Sequence, residues 1–230
     1  MDGAGSLNGV GPGPPPARRR MVARLEEDGT IRDPRVAAAM LCVPRERFVP
    51  PESADLAFRD EPLGIGEGQT ISAPHMVAIM LEALDLAPGH RVLEVGGGSG
   101  YAAACAAELV SPGGSVVAVE RIAPLADAAR RALADTGYAS RVRVVVGDGS
   151  EGHAAAAPYD RISVACAAPS VPPPLVEQLA PHGILLVPVG DRGAQVLLRV
   201  RKRADGSTER EDLGACRFVP LLGRHGFDEG

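Results

Sequence analysis

The stretch VLEVGGGSGY, residues 92–101, limits what this chain can fold into more than any other. A short apolar run breaks into glycines and passes at once into YAAACAAELV, which reads as a helix. Regular alternation follows. SVVAVE, RVRVVVGDG, YDRISVACAA and GILLVPVG read as strands, with APLADAARRALADTG and PPPLVEQLA as helices between them. These strands are apolar throughout, the pattern of strands buried on both faces. Strand–helix alternation of this kind predicts an α/β fold, a parallel sheet with helices on both faces. The stretch AQVLLRVRKRADGSTEREDLGACRFVPLLG then adds two strands around an Asp-Gly turn signal, a hairpin of antiparallel edge strands.

Upstream, DPRVAAAMLCVPRERFVP reads as a helix capped by Asp33, with Pro34 in its first turn and Pro44 beyond its end. SAPHMVAIMLEALDL is a second helix, its apolar residues at helical spacing. Between them lies EPLGIGEGQTISAPHM, residues 61–76, whose composition fits neither helix nor strand and predicts irregular backbone. The opening MDGAGSLNGVGPGPPPARRR has almost nothing to bury and no apolar core of a signal peptide, so residues 1–20 are read as a disordered tail and Met21 as an alternative start. The rest, 21–230, is read as one domain: lead-in and loop over 21–75, core over 76–192, edge strands over 193–230.

A formal net charge of −5 argues against a general nucleic-acid binder. No apolar run approaches the ~20 residues that span a bilayer. Cys42, Cys105, Cys166 and Cys216 form no CxxC pair and the histidines are scattered, so no metal site is expected. Free thiols point to a reducing, cytoplasmic setting.

The glycine turn sits where a ligand site belongs in such a sheet, at the carboxyl end of the first core strand. Glu120 ends the next strand and can accept both ribose hydroxyls; Asp148 ends the one after. The bland alternative is a tight turn with solvated acids at the strand ends. A dinucleotide is disfavoured, because Tyr101 stands where the third fingerprint glycine belongs and Glu94 would repel a pyrophosphate. A carboxylate at Glu94 instead welcomes a sulfonium or ammonium.

GIGEGQTISAPHM, VLEVGGGSGY, the stretch from VVGDGSEG to GILLVPVG, and FVPLLG together resemble the protein-L-isoaspartate O-methyltransferase family, from about Arg32 to Gly223. The lead-in Phe48, Val49, Pro50, Asp60, Pro62 and Leu63 matches as well. The resemblance implies a doubly wound, mostly parallel seven-stranded sheet of the Rossmann-like methyltransferase type, with an N-terminal helical lead-in and a C-terminal hairpin. It implies S-adenosyl-L-methionine as cofactor, held by Glu94, Gly96, Gly98, Ser99, Gly100, Glu120, Asp148 and Gly149 with Thr70 and Ile71. It makes Ser72 the active-site serine, and places Gln69, Thr70, Ser72 and Ala165 at the substrate. The expected partners are isoaspartyl-containing proteins, with no nucleic acid or membrane, and the expected state is a monomer. Ala165-Cys166-Ala167-Ala168-Pro169 departs from the family's Thr-Ala-Ala-Ala-Pro, losing a hydroxyl at Ala165.

The chemistry suits these residues. The implied nucleophile is the free carboxylate of an L-isoaspartyl residue, ionised at neutral pH without a general base. The site must supply orientation and exclude water, and orientation alone can contribute ~7–11 kcal/mol. The resulting methyl ester leaves as a succinimide, which begins repair. Ser72 has a rival role as N-cap of the following helix. His75 reads as a loop-bracing residue and Cys166 as a small buried thiol. Two other functions stay open: a peptide-specific aspartate methyltransferase that makes an aspartimide, and a non-catalytic adaptor that binds the cofactor.

Overall fold

In a computed structural model describing residues 13–228, the apolar runs become strands and the alanine-rich stretches helices. In chain order the elements are α1 (Pro16–Glu27), α2 (Pro34–Cys42), β1 (Leu63–Gly66), β2 (Gln69–Ile71), α3 (Pro74–Leu84), β3 (Arg91–Val95), α4 (Tyr101–Leu109) and β4 (Ser115–Glu120). They continue as α5 (Ala123–Asp135), β5 (Val142–Val146), β6 (Tyr159–Val164), α6 (Pro173–Glu177), β7 (Leu179–Gly190), β8 (Gln195–Lys202) and β9 (Thr208–Cys216).

The main sheet has seven strands in the order β5-β4-β3-β6-β7-β8-β9. The first five pair in parallel; β8 and β9 are antiparallel, joined through the turn at Asp205-Gly206 as the sequence predicts. Strand order runs outward from β3 to β5 and then crosses back to β6. The crevice at the carboxyl ends of β3 and β6 is therefore the topological switch point, where open sheets of this kind bind ligands.

Side chains on successive residues of each strand face opposite layers. Val92, Val116 and Ala118 belong to one core, packed beneath α1–α4; Leu93, Val95, Val117 and Val119 belong to the other. Helix α5 adds Leu133 to the first core. Cover on the second face is thinner: α6, loop residues such as Val171, and Leu221 from the chain's last segment. The predicted helix over PPPLVEQLA shrinks to the five residues of α6, since Leu179 already belongs to β7.

Two expectations are corrected. The predicted tail ends early: residues 1–12 lie outside the described residues, but α1 begins at Pro16. Arg18, Met21, Val22 and Leu25 form its buried stripe at helical spacing, and the Arg18 guanidinium bonds the Leu41 carbonyl at 2.8 Å and Glu46 at 2.5 Å. Arginine on a helix face can bury its stem and bond a neighbouring helix end, so the stretch had more to bury than its composition suggested.

The stretch read as irregular is a hairpin. Strands β1 and β2 pair antiparallel, Leu63 with Ile71 and Gly64 with Thr70. Between them Glu67 and Gly68 both have positive φ, 52° and 69°, as a primed two-residue turn requires. Three glycines hid the strand signal, because strands are usually recognised by β-branched and aromatic residues.

Candidate active site

The carboxyl ends of β3, β4 and β6, the hairpin and the chain's last segment line one open cleft. Its floor is the glycine turn. Gly96 and Gly100 have φ of 82° and 84°, in the region that favours glycine. A Cβ on Gly96 would stand 2.6 Å from the Cys166 sulfur, so the strand ends of β3 and β6 close up only without a side chain there. A Cβ on Gly100 would press on Leu133 at 3.3 Å, so this glycine lets α4 seat against α5.

Glu120 ties the turn together: one carboxylate oxygen accepts the Gly98 N–H and the other the Ile122 N–H, each at 2.9 Å. Glu94 lies in β3, level with Ala118 and Ser163, and is buried beneath the start of α4. Burial, and then the neighbouring Glu120 charge, push its carboxyl up to about 8, against a smaller lowering from the Ala103 N–H. Its Oε2 is buried without a hydrogen-bond partner among the described residues. A buried acid with an orphaned oxygen, beside a second carboxylate, is a receptor for a cation.

Ser72 lies directly after β2 and lines the same cleft, with Gln69, Thr70 and Ile71. Its hydroxyl makes no hydrogen bond among the described residues. The N-cap of α3 is Ala73, which offers no side-chain bond, so Ser72 does not fill the rival capping role. Asp60 serves that end instead, its Oδ1 accepting the His75 N–H and touching His75 Nδ1. His75 thus braces the loop. The Ser72 carbonyl accepts from the buried Arg45 guanidinium at 2.8 Å.

The structure brings together Gln69, Thr70, Ile71, Ser72, Glu94, Gly96, Gly98, Ser99, Glu120, Gly149 and Ala165 around this cleft. Gly100 stands behind it, as N-cap of α4. Asp148 does not line it. Its Oδ1 accepts from the Ser150 N–H and hydroxyl, and its Oδ2 from the Arg224 N–H at 2.8 Å. Burial acts to raise this acid, but the donors from Arg224 and Ser150 outweigh it and hold it below the usual carboxylate range. Asp148 therefore fastens the last segment beneath the strand ends, and its neighbour Gly149 reaches the cleft. Cys166 lines the cleft as a thiol pushed up to about 12 by burial and the two glutamates, and so stays protonated.

Sequence reasoning missed one wall. Val219–Leu222 closes the cleft, held by bonds from Ala167 N–H to the Val219 carbonyl and from Leu221 N–H to the Ala167 carbonyl. The motif FVPLLG carries the resemblance, yet nothing local to it says that it closes a cleft built on strand ends far earlier in the chain. Arg45 was also missed, because an arginine in the charged run PRERF reads as exposed.

The residues fit S-adenosyl-L-methionine: a glycine cradle, an acid at the second strand end, and an unpartnered buried carboxylate for a cationic group. A model of the family "Protein-L-isoaspartate(D-aspartate) O-methyltransferase (PCMT)" matches residues 17–226. The protein-L-isoaspartate O-methyltransferase of Methanopyrus kandleri is 58% identical over 213 residues, 93% of this chain and 94% of that protein. That of Hyperthermus butylicus is 54% identical over 220 residues, 93% and 91% of the two chains. Among solved structures, a Plasmodium falciparum chain described as a protein-L-isoaspartate O-methyltransferase in complex with S-adenosyl-L-homocysteine gives a TM-score of 0.81 at 27% identity, covering 89% of this chain and 98% of that one. Fold, cleft and these likenesses agree, and the chain belongs to the protein-L-isoaspartate(D-aspartate) O-methyltransferase family.

Proposed function

We infer that this protein transfers a methyl group from S-adenosyl-L-methionine to the free carboxylate of L-isoaspartyl residues in damaged proteins. The observation that carries the reading is the meeting of an unbonded Ser72 hydroxyl and the orphaned Glu94 carboxylate in one glycine-floored cleft.

When bound, S-adenosyl-L-methionine supplies a methyl group on a positively charged sulfur. Glu94 would hold the cationic part of the cofactor, and Glu120, which holds the Gly98 N–H, would accept the ribose hydroxyls. Gly96, Gly98, Ser99, Gly100 and Gly149 would let the backbone approach the cofactor closely, and Thr70 and Ile71, which line the cleft, would help to hold it. Ser72 donates to one oxygen of the substrate carboxylate and leaves the other directed at the donor. Gln69, Thr70 and Ala165 border the substrate. The carboxylate is already ionised, so no side chain has to remove a proton. Asp148 contributes by fastening the last segment through the Arg224 N–H.

The protein is read as a cytoplasmic monomer whose partners are isoaspartyl polypeptides, not nucleic acid or membrane. Four free cysteines support a reducing compartment. Among the described residues no helix is long and apolar enough to cross a membrane. Paired peptides carrying isoaspartate or aspartate, incubated with methyl-labelled cofactor, test the activity. Label entering only the isoaspartyl peptide is the expected result; label entering the aspartyl peptide, or neither, overturns it.

A further inference from the structure

Arg45 is fully buried, a cation in the first core, on the 3₁₀ turn that follows α2. Among the described residues its guanidinium bonds no carboxylate. Nε donates to the Ala57 carbonyl and one terminal nitrogen to the Ser72 carbonyl, both at 2.8 Å, and the other terminal nitrogen has no partner. Its Cζ lies 4.9 Å from the centre of the Tyr101 ring, the first residue of α4 and part of the cleft wall. Burial lowers its affinity for the proton, yet an arginine stays charged.

Burying an unpaired charge is costly, and a residue needed only as filler could be Leu or Met without that cost. What the guanidinium gives in return is geometry. Its planar fork joins three otherwise separate pieces: the lead-in at Ala57, the backbone of Ser72, and the helix that starts at the glycine turn. An apolar side chain of the same size could hold none of the carbonyls.

We propose that Arg45 is a positioning residue, fixing the backbone of Ser72 against Tyr101 so that the serine hydroxyl faces the reacting carboxylate. The proposal rests on the role given to Ser72 above. A carbonyl shift of about 1 Å at a positioning contact is enough to slow turnover strongly. The effect belongs in kcat, because the cofactor cradle makes no hydrogen bond to Arg45.

The test compares wild type with Arg45→Met, Arg45→Lys and Arg45→Ala, measuring kcat and KM on an isoaspartyl peptide, S-adenosyl-L-homocysteine affinity by calorimetry, and folding by thermal melt. Folded Arg45→Met should lose about tenfold to a hundredfold in kcat, with homocysteine-product affinity within about twofold of wild type. Arg45→Lys should lose less, as an ammonium can reach one carbonyl and not both. Methylguanidinium added to Arg45→Ala should restore part of kcat. Folded variants that keep wild-type kcat, a loss confined to cofactor affinity, no rescue by methylguanidinium, or failure of every variant to fold would each overturn the proposal and leave Arg45 a structural residue. The wild-type arm separates the two readings: no turnover by wild type removes the functional reading itself, whereas turnover equal in wild type and folded variants removes only the role of Arg45.

Discussion

Asp60 and His75 meet at one oxygen: Asp60 Oδ1 accepts the His75 N–H at 2.9 Å and stands 2.9 Å from His75 Nδ1. The helix behind the β1–β2 hairpin is therefore capped by a residue from before the hairpin. Asp60→Ala is expected to cost about 1 kcal/mol in denaturant melts, the usual worth of a side-chain cap. Asp60→Asn should keep most of that, because asparagine caps as well as aspartate. Equal losses for the two variants would locate the stabilisation in the His75 contact instead.

Ser72→Ala separates catalysis from capping. Since α3 begins at Ala73 without a side-chain cap, stability should change by no more than about 0.5 kcal/mol. Turnover should fall at least about tenfold through lost orientation. A variant with full kcat and a lowered melting temperature would return Ser72 to a structural role.

With the cation-binding role proposed for Glu94, cofactor binding is expected to depend on pH. Its ordinary value is 4.5 and its folded value about 8, so the folded protein holds this proton where the unfolded chain has lost it. Raising pH across that window therefore lowers the stability of the ligand-free fold. A cation beside Glu94 favours the ionised form, so binding expels the proton and tightens as pH rises. Between about pH 5.5 and 7.5, below the titration of the cofactor's own amine, affinity should gain up to about tenfold per unit. Calorimetry in buffers of different ionisation heat should show proton release, and Glu94→Gln should abolish both effects. A flat profile in wild type would mean that Glu94 is already ionised.

Gly96→Ala carries two separable penalties. A φ of 82° costs a side chain about 1–2 kcal/mol, and the 2.6 Å approach to the Cys166 sulfur forces a shift worth about 1–3 kcal/mol more. Adding Cys166→Ala should recover the steric part and leave the backbone part, as read from unfolding midpoints. If the double variant is no better than the single one, the crowding lies elsewhere.

Glu94 and Glu120 were readable as site residues because their places in the chain are set by strand ends, and strand ends are visible as breaks in apolar runs. Ser72 was readable through the motif around it. Asp148 was readable as a strand-end acid, but the bond it accepts from the Arg224 N–H comes from 76 positions later, which no local pattern reveals. The hairpin at 63–71 was hidden by its glycines, and the start of α1 by a Gly/Pro-rich approach with almost nothing apolar to bury. Arg45 shows the same limit, since only packing distinguishes a buried arginine from a solvated one. Periodicity reports what an element does for itself; it is silent about what arrives from elsewhere.

The wall at Val219–Leu222 carries a consequence for biogenesis. All seven strands of the main sheet precede it, so a nascent chain can complete that sheet and still lack one side of the binding chamber. Competence to hold a nucleoside thus comes after the architecture that frames it. A polypeptide halted just past Cys216 would have every strand of the main sheet but lack both this wall and the core side chains of Phe218 and Leu221.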